Sequence, residues 1–161
     1  MSVLESLAAW PVDHVSAAVI TTDGVAETFG DPDRVYPLAS VTKLLVAEAV
    51  LVAVEEGAVE LDDAAGPPGA TIAHLLAHAS GLAFATRDVE AGVGEKRIYS
   101  SAGFEVLAET VEAATEIAFG DYLAAAVFEP LGQAYSAIIG GADGAETMVA
   151  TGDTIRTAIA E

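Results

Sequence analysis

One stretch constrains the fold of this chain more than any other, and it follows Lys43. Residues 44–54 contain ten apolar side chains and a single charge, Glu48. Eleven such residues are too many for an ordinary strand and too apolar on every side for a surface helix. We therefore predict a buried helix around which the rest of the domain packs.

Ser40 and Lys43 lie at or near the start of this predicted helix. A spacing of three residues places both side chains on one helical face, one turn apart. Apolar surroundings make an ammonium group release its proton more easily, and a helix N-terminus favours developing negative charge. Lys43 can then accept the proton of a nucleophilic Ser40. The residues alone also allow a simpler interpretation, in which Ser40 caps the helix and Lys43 extends to solvent.

Composition limits what the chain can contain and bind. Its 161 residues are 53% hydrophobic and include no cysteine, so we expect one domain with a substantial core and no disulfide or thiolate chemistry. The formal net charge of −19 argues against nucleic acid and anionic membranes as partners. No segment is long and apolar enough to cross a bilayer. The first residues lack a secretory signal, which leaves the cytoplasm, or secretion with the signal removed, as expected locations.

A β-hairpin and several helices are expected around the central helix. Residues 15–21 and 25–29 are rich in β-branched side chains and flank Thr22-Asp23-Gly24, a pattern typical of a hairpin. Residues 83–98 lack periodicity and contain most of the basic side chains of the middle region, which predicts an exposed loop at the edge of a site. We predict further helices over residues 3–10, 72–78, 102–115, 121–128 and 153–160, with a loop over residues 138–143.

His74 and His78 have a spacing that can bind a metal from one helical face. No adjacent glutamate and no third ligand accompany them in the sequence. We therefore expect no metal site, and we expect both rings to pack or hydrogen-bond beneath the long helix. A metal-dependent hydrolase is the least favoured alternative.

Five sequence motifs occur in an order and spacing that resemble a known family. They are Ala39-Ser40-Val41-Thr42-Lys43, residues 54–57 with 61–63, residues 71–82, Tyr99-Ser100-Ser101-Ala102-Gly103-Phe104, and residues 128–132. The sequence resembles the serine β-lactamase and penicillin-binding-protein-like family, in its class C β-lactamase, D-alanyl-D-alanine carboxypeptidase and esterase branch. This resemblance implies an α+β fold, mainly a helical β-lactamase/transpeptidase-like half, with an N-terminal β-hairpin and an incomplete antiparallel sheet.

The resemblance also implies a reaction. In this family a serine attacks an ester, β-lactam or D-alanyl peptide carbonyl and forms an acyl-enzyme, while backbone amides bind the oxyanion. Carried over to this chain, Ser40 is the nucleophile, Lys43 its proton acceptor and Tyr99 the second general base or acid. The expected partner is a small acyl substrate, and no cofactor is implied.

Two features of the sequence depart from the family. The family motif Tyr-x-Asn ends in Ser101 here, and a hydroxyl has a shorter reach than an amide and lacks its paired donor and acceptor. We therefore expect Ser101 to bind a substrate amide more weakly. No Lys-Thr-Gly or His-x-Gly motif follows Tyr99, although the family carries one on a later strand.

The second departure leads us to expect a single, truncated domain over residues 1–161, with exposed edges on the hairpin. Its expected function is that of a serine hydrolase with reduced activity, of esterase or carboxypeptidase type. The alternative is a non-catalytic scaffold or self-associating protein. A homodimer could supply the strands that complete the sheet.

Overall fold

The computed structural model describes residues 2–31, 34–133, 136–138 and 148–150. These residues form an α+β fold, as expected from the resemblance. Its helices are α1 (Thr42–Glu55), α2 (Ile72–Leu76), α3 (Ser101–Thr115) and α4 (Phe119–Leu123). Its strands are β1 (Ala17–Thr21), β2 (Gly24–Phe29), β3 (Tyr36–Pro37), β4 (Ala137–Ile138) and β5 (Met148–Ala150). None of the helices described has the length and hydropathy needed to cross a membrane.

Helix α1 forms the centre of the core, as its apolar sequence predicts. Val46, Ala49 and Val50 are fully buried and belong to one apolar cluster with side chains of α3 and α4. The helix ends just before Gly57, which has a left-handed φ of 75°. Glycine adopts this conformation without the strain that a residue with a side chain would have. The predicted buried helix is confirmed on the face that packs into the core, whereas Leu44 and Leu51 are exposed on the opposite face.

The predicted β-hairpin is confirmed. Strands β1 and β2 pair antiparallel, and their register shifts between Val19 and Ile20. Gly24 closes the turn with a φ of 108°, in the region that favours glycine. In the part of the chain that the structure describes, these two strands pair only with each other.

A second, small sheet leads the chain into the site. It has the order β3-β5-β4 with antiparallel pairs, and Tyr36 of β3 lies opposite Ala150. The predicted loop over residues 138–143 is therefore wrong at Ile138, which ends β4. Antiparallel pairing with β5, the next strand along the chain, gives Ile138 its extended conformation. The rest of that loop and the predicted helix over residues 153–160 lie outside the described residues.

The helix predicted over residues 3–10 is present as a 3₁₀ helix, Leu4–Ala9. The Ser2 hydroxyl accepts a hydrogen bond of 3.0 Å from the Leu4 N–H and donates to the carboxylate of Glu27 on β2. The segment buries no residue completely. The Ser2 hydroxyl therefore joins this segment both to its own first turn and to the hairpin.

Two predicted helices differ in length or type from their patterns. Helix α2 begins after its N-cap Thr71 as expected but ends at Leu76, because His78 has a left-handed φ of 57°. The helix predicted over residues 121–128 begins earlier, at Phe119, and continues after Leu123 as a π-helical turn, Ala124–Phe128. Helix α3 matches its amphipathic pattern and begins one residue before the predicted start.

Candidate active site

Ser40 lies in a tight turn directly before α1. Residues Ala39–Val41 form one turn of 3₁₀ helix, and Ser40 is exposed within it. Ala39 adopts a left-handed φ of 45°, which is uncommon for a residue with a side chain and costs about 1–2 kcal/mol. This strain is compatible with a turn that presents the Ser40 hydroxyl to solvent just ahead of the helix N-terminus.

Lys43 is nearly buried one turn further along the chain. Its side chain is 9% exposed, and Nζ donates a hydrogen bond of 3.0 Å to Oγ of Ser101. Nζ also lies 5.1 Å from the ring centroid of Tyr99 and 5.8 Å from that of Phe104, distances at which a cation is attracted to an aromatic face. Lys43 therefore does not extend to solvent, which removes the simpler of the two sequence interpretations.

Tyr99 is the third member of this cluster. A hydrogen bond with Ser40 is the largest cause that lowers the pKa of its phenol below 10.0. A hydrogen bond and the charge of Lys43, and then the charge of Arg97, lower it further, while burial acts in the opposite direction. A phenol in this position is a better proton acceptor near neutral pH than a free tyrosine.

His78 supports the segment that carries Tyr99. Its Nδ1 accepts a hydrogen bond of 3.0 Å from the Ser100 N–H, and its carbonyl accepts one of 2.9 Å from the Ile98 N–H. Its ring lies 4.6 Å from that of Tyr99. Burial, followed by the charges of Arg97 and Lys43, lowers the pKa of His78 below 6.5, so the imidazole is held neutral.

Ser100 anchors the same segment at the start of α3. Its hydroxyl donates to the Ala83 carbonyl at 2.6 Å and accepts from the Gly103 N–H at 3.0 Å. The second contact caps the helix and satisfies one of its free N–H groups. Tyr99 and Ser101, on either side of the cap, are thereby held in place.

The structure brings together Ser40, Lys43, Tyr99 and Ser101, the four residues predicted for the site. Ser101 differs from its expected orientation toward a substrate, since it is 3% exposed and its oxygen accepts from Lys43. His74 does not join the cluster, because its Nδ1 is hydrogen-bonded to the Thr71 hydroxyl. Within the described ranges, no group of three or more acidic or histidine side chains is arranged to hold a metal ion.

Sequence reasoning missed two neighbours of Tyr99. Phe84 stacks on its ring with a centroid distance of 6.0 Å, and Arg97 contributes a nearby charge. Both belong to the segment predicted as a loop at the edge of a site. In the structure, residues 97–100 alternate between exposed and more buried positions, so Arg97 and Tyr99 lie on the same side of the segment.

The site combines an exposed serine before a buried helix, a lysine one turn later and a tyrosine at the start of a second helix. This arrangement, together with the α+β fold, is typical of the penicillin-binding-protein-like serine hydrolases. The description Beta-lactamase belongs to the family model that matches residues 13–157. The chain is therefore a member of the β-lactamase family.

Solved structures support the same assignment. A β-lactamase from Mycobacterium bovis is 50% identical, with a TM-score of 0.91 over 96% of this chain and 57% of its own. An octameric penicillin-binding protein homologue from Pyrococcus abyssi is 21% identical, with a TM-score of 0.75 over 88% of this chain and 50% of its own.

A D-amino acid amidase from Ochrobactrum anthropi is 19% identical, with a TM-score of 0.77 over 94% of this chain and 65% of its own. The two similarities near 20% identity show the fold alone. This chain thus spans between 50% and 65% of the length of these three proteins. No curated protein matches it closely enough to count as a relative.

Proposed function

We propose that this chain is a serine hydrolase that forms an acyl-enzyme at Ser40. Membership of the β-lactamase family supports a serine-hydrolase type of function, and one observation carries the finer proposal. The nearly buried ammonium of Lys43 lies beside Tyr99, and the pKa of that phenol is lowered chiefly by a hydrogen bond with Ser40 itself. Tyr99 therefore interacts with both the candidate nucleophile and the candidate cation.

The proposed reaction has two steps. Ser40 Oγ forms a bond to the carbonyl carbon of an ester, β-lactam or D-alanyl peptide, and its proton passes to the phenolate oxygen of Tyr99. The C–O or C–N bond then breaks, and the leaving group takes up that proton. Water then attacks the acyl carbonyl and gives a proton to Tyr99. The bond to Ser40 Oγ breaks, Oγ takes up that proton, and the acid is released.

Lys43 and Ser101 act on this proton transfer in the proposal. The Lys43 charge stabilises the phenolate, or its amine accepts the Ser40 proton directly, as the family resemblance implies. Ser101 supplies one neutral oxygen to hold Lys43 Nζ, at 3.0 Å. Because that hydroxyl is occupied by the lysine, we expect weak recognition of a substrate amide and an activity lower than that of family members with asparagine.

The test is intact-mass analysis after exposure to an activated ester, a penicillin and a fluorophosphonate. We expect one adduct per chain in the wild type and none in Ser40→Ala. Ser6→Ala removes another exposed hydroxyl and should leave the adduct unchanged. Lys43→Ala should slow acylation by roughly three or more powers of ten, since it removes both a charge and a proton-transfer partner.

Two results would decide against acyl transfer at Ser40. Equal labelling of the wild type and Ser40→Ala would assign the adduct to another residue. A folded wild-type protein, verified by circular dichroism, that forms no adduct with any reagent would favour the non-catalytic scaffold.

A further inference from the structure

Four rings form a continuous aromatic column beside the candidate nucleophile. Phe104 lies 5.1 Å from His78, His78 lies 4.6 Å from Tyr99, and Tyr99 lies 6.0 Å from Phe84, measured between ring centroids. Phe104 is buried in the core, whereas Phe84 is 57% exposed. The column therefore runs from the interior to the surface and passes through the residue that contacts Ser40.

Phe84, the outer residue of this column, is fixed by hydrogen bonds to its backbone and by stacking of its ring on Tyr99. The Phe84 carbonyl accepts hydrogen bonds from the N–H groups of Ser101 at 2.7 Å and Ala102 at 3.3 Å, in the first turn of α3. Its ring lies within 23° of parallel with that of Tyr99. An aromatic side chain fixed in this way loses little conformational entropy when a ligand binds.

We propose that Phe84 and the adjoining edge of Tyr99 form a platform that binds an aromatic or flat apolar group of the substrate. This inference rests on the proposed acyl transfer at Ser40. Such a group would stack on Phe84 while the carbonyl beside it reaches Ser40, because Tyr99 touches both residues. The preferred substrates are thus aryl-bearing esters and thioesters rather than small aliphatic ones.

Three thioesters test this preference. S-ethyl thioacetate is the reference, the S-ethyl thioester of phenylacetic acid carries the ring on the acyl side, and S-benzyl thioacetate carries it on the leaving group. The released thiol is measured with a disulfide reagent, which meets no competing thiol because the chain has no cysteine. The quantity compared is the ratio of kcat/KM for each aryl thioester to that for the reference.

The matched variants are Phe84→Ala, Phe84→Trp and Ile117→Ala. Ile117 is also a large exposed side chain, at 45%, but it follows the far end of α3, about 22 Å from the site for a helix of this length. We expect the wild type to prefer at least one aryl thioester. Phe84→Ala should reduce that preference about 3- to 10-fold, Phe84→Trp should retain it, and Ile117→Ala should not change it.

Two kinetic results would overturn the platform: equal rates for aryl and reference thioesters in the wild type, or an unchanged preference in Phe84→Ala.

A binding measurement separates this inference from the proposed function. Ligand-observed NMR of phenylacetamide and acetamide, with the Ser40→Ala protein, needs no chemistry at Ser40. If no adduct forms at Ser40 the proposed function fails, yet phenylacetamide binding that Phe84→Ala abolishes would still support the platform. Equal binding with and without Phe84 would exclude it.

Discussion

Tyr99 shows how a few neighbours change the chemistry of one side chain. Its phenol contacts Ser40 and Lys43, and both contacts favour the ionised form. Burial opposes them and does not outweigh them. The pKa therefore falls below 10.0, and more phenolate is present at neutral pH than a free tyrosine would provide.

This lowered pKa predicts the pH dependence of acylation. With the phenolate as the proposed proton acceptor, the acylation rate should rise with pH and reach its plateau above a midpoint below 10.0. Arg97→Gln removes a positive charge that favours the phenolate, so the midpoint should move to higher pH. Stopped-flow measurement of acylation by an activated ester, from pH 6 upward, gives the midpoint.

Lys96→Gln is the matched control for this pH profile. Lys96 is exposed, as Arg97 is, and its loss changes the net charge equally, but it is not among the charges that act on Tyr99. Its midpoint should equal that of the wild type. Equal shifts in both variants would mean that the overall charge of −19, rather than the local contact, controls the profile.

At the scale of elements, the start of α3 connects the core to the site. Phe104 and Leu107 bury one side of this helix against α1, while its first turn carries Ser101 and receives the Phe84 carbonyl. The cap residue Ser100 bonds at once to the helix and to the loop at Ala83. One hydroxyl thereby couples the position of the loop to that of the helix.

Ser100→Ala should consequently destabilise the protein more than loss of an ordinary helix hydroxyl. It removes the cap and leaves the buried Ala83 carbonyl and Gly103 N–H without partners, at a cost of about 2–3 kcal/mol in the free energy of unfolding. Thr110→Ala, which removes only a bond to the Val106 carbonyl within α3, should cost less than about 1 kcal/mol. Urea titrations of both variants measure the difference, and equal costs would contradict the anchoring role of Ser100.

At the scale of the whole molecule, the hairpin and the net charge act against each other. In the described part of the chain β1 and β2 pair only with each other, and an unpaired edge is a template for another strand. Two chains of charge −19 repel each other strongly at low ionic strength. The homodimer expected from the sequence stays a prediction, and it should form only where salt screens this repulsion.

Sedimentation velocity at about 20 mM and about 300 mM salt tests that dimer, since the screening length falls from roughly 20 Å to below about 10 Å. We expect dimers at the higher salt and their loss in Val19→Lys, because a lysine on an edge strand blocks pairing. Leu51→Lys on α1 makes the same charge change at a similar exposure, 47% against 41%, and should dimerise as the wild type does. A wild-type monomer at both salt concentrations would rule out the dimer.

Local sequence patterns determined the hairpin, α1, α3 and the presence of a Ser-x-x-Lys pair at a helix start. Apolar periodicity, turn residues and caps act over one or two turns of chain, so the sequence reports them directly. The same patterns did not predict the end of α2 at His78, whose ring accepts from Ser100 22 positions later, or the strand at Ile138, which pairs with β5. Motif spacing added the family resemblance and, with it, the prediction that Tyr99 acts as a general base or acid.

Only the tertiary structure decided how these residues meet. Lys43 and Ser101 are 58 positions apart, and no periodicity relates their side chains. Packing of α1 against α3 brings them to 3.0 Å, and hydrogen bonds from Ile98 and Ser100 to His78 hold the segment that places the Tyr99 ring beside Lys43. Phe84 reaches the same place because its carbonyl binds the start of α3. Such contacts depend on the relative positions of whole elements, which local chain preferences do not encode.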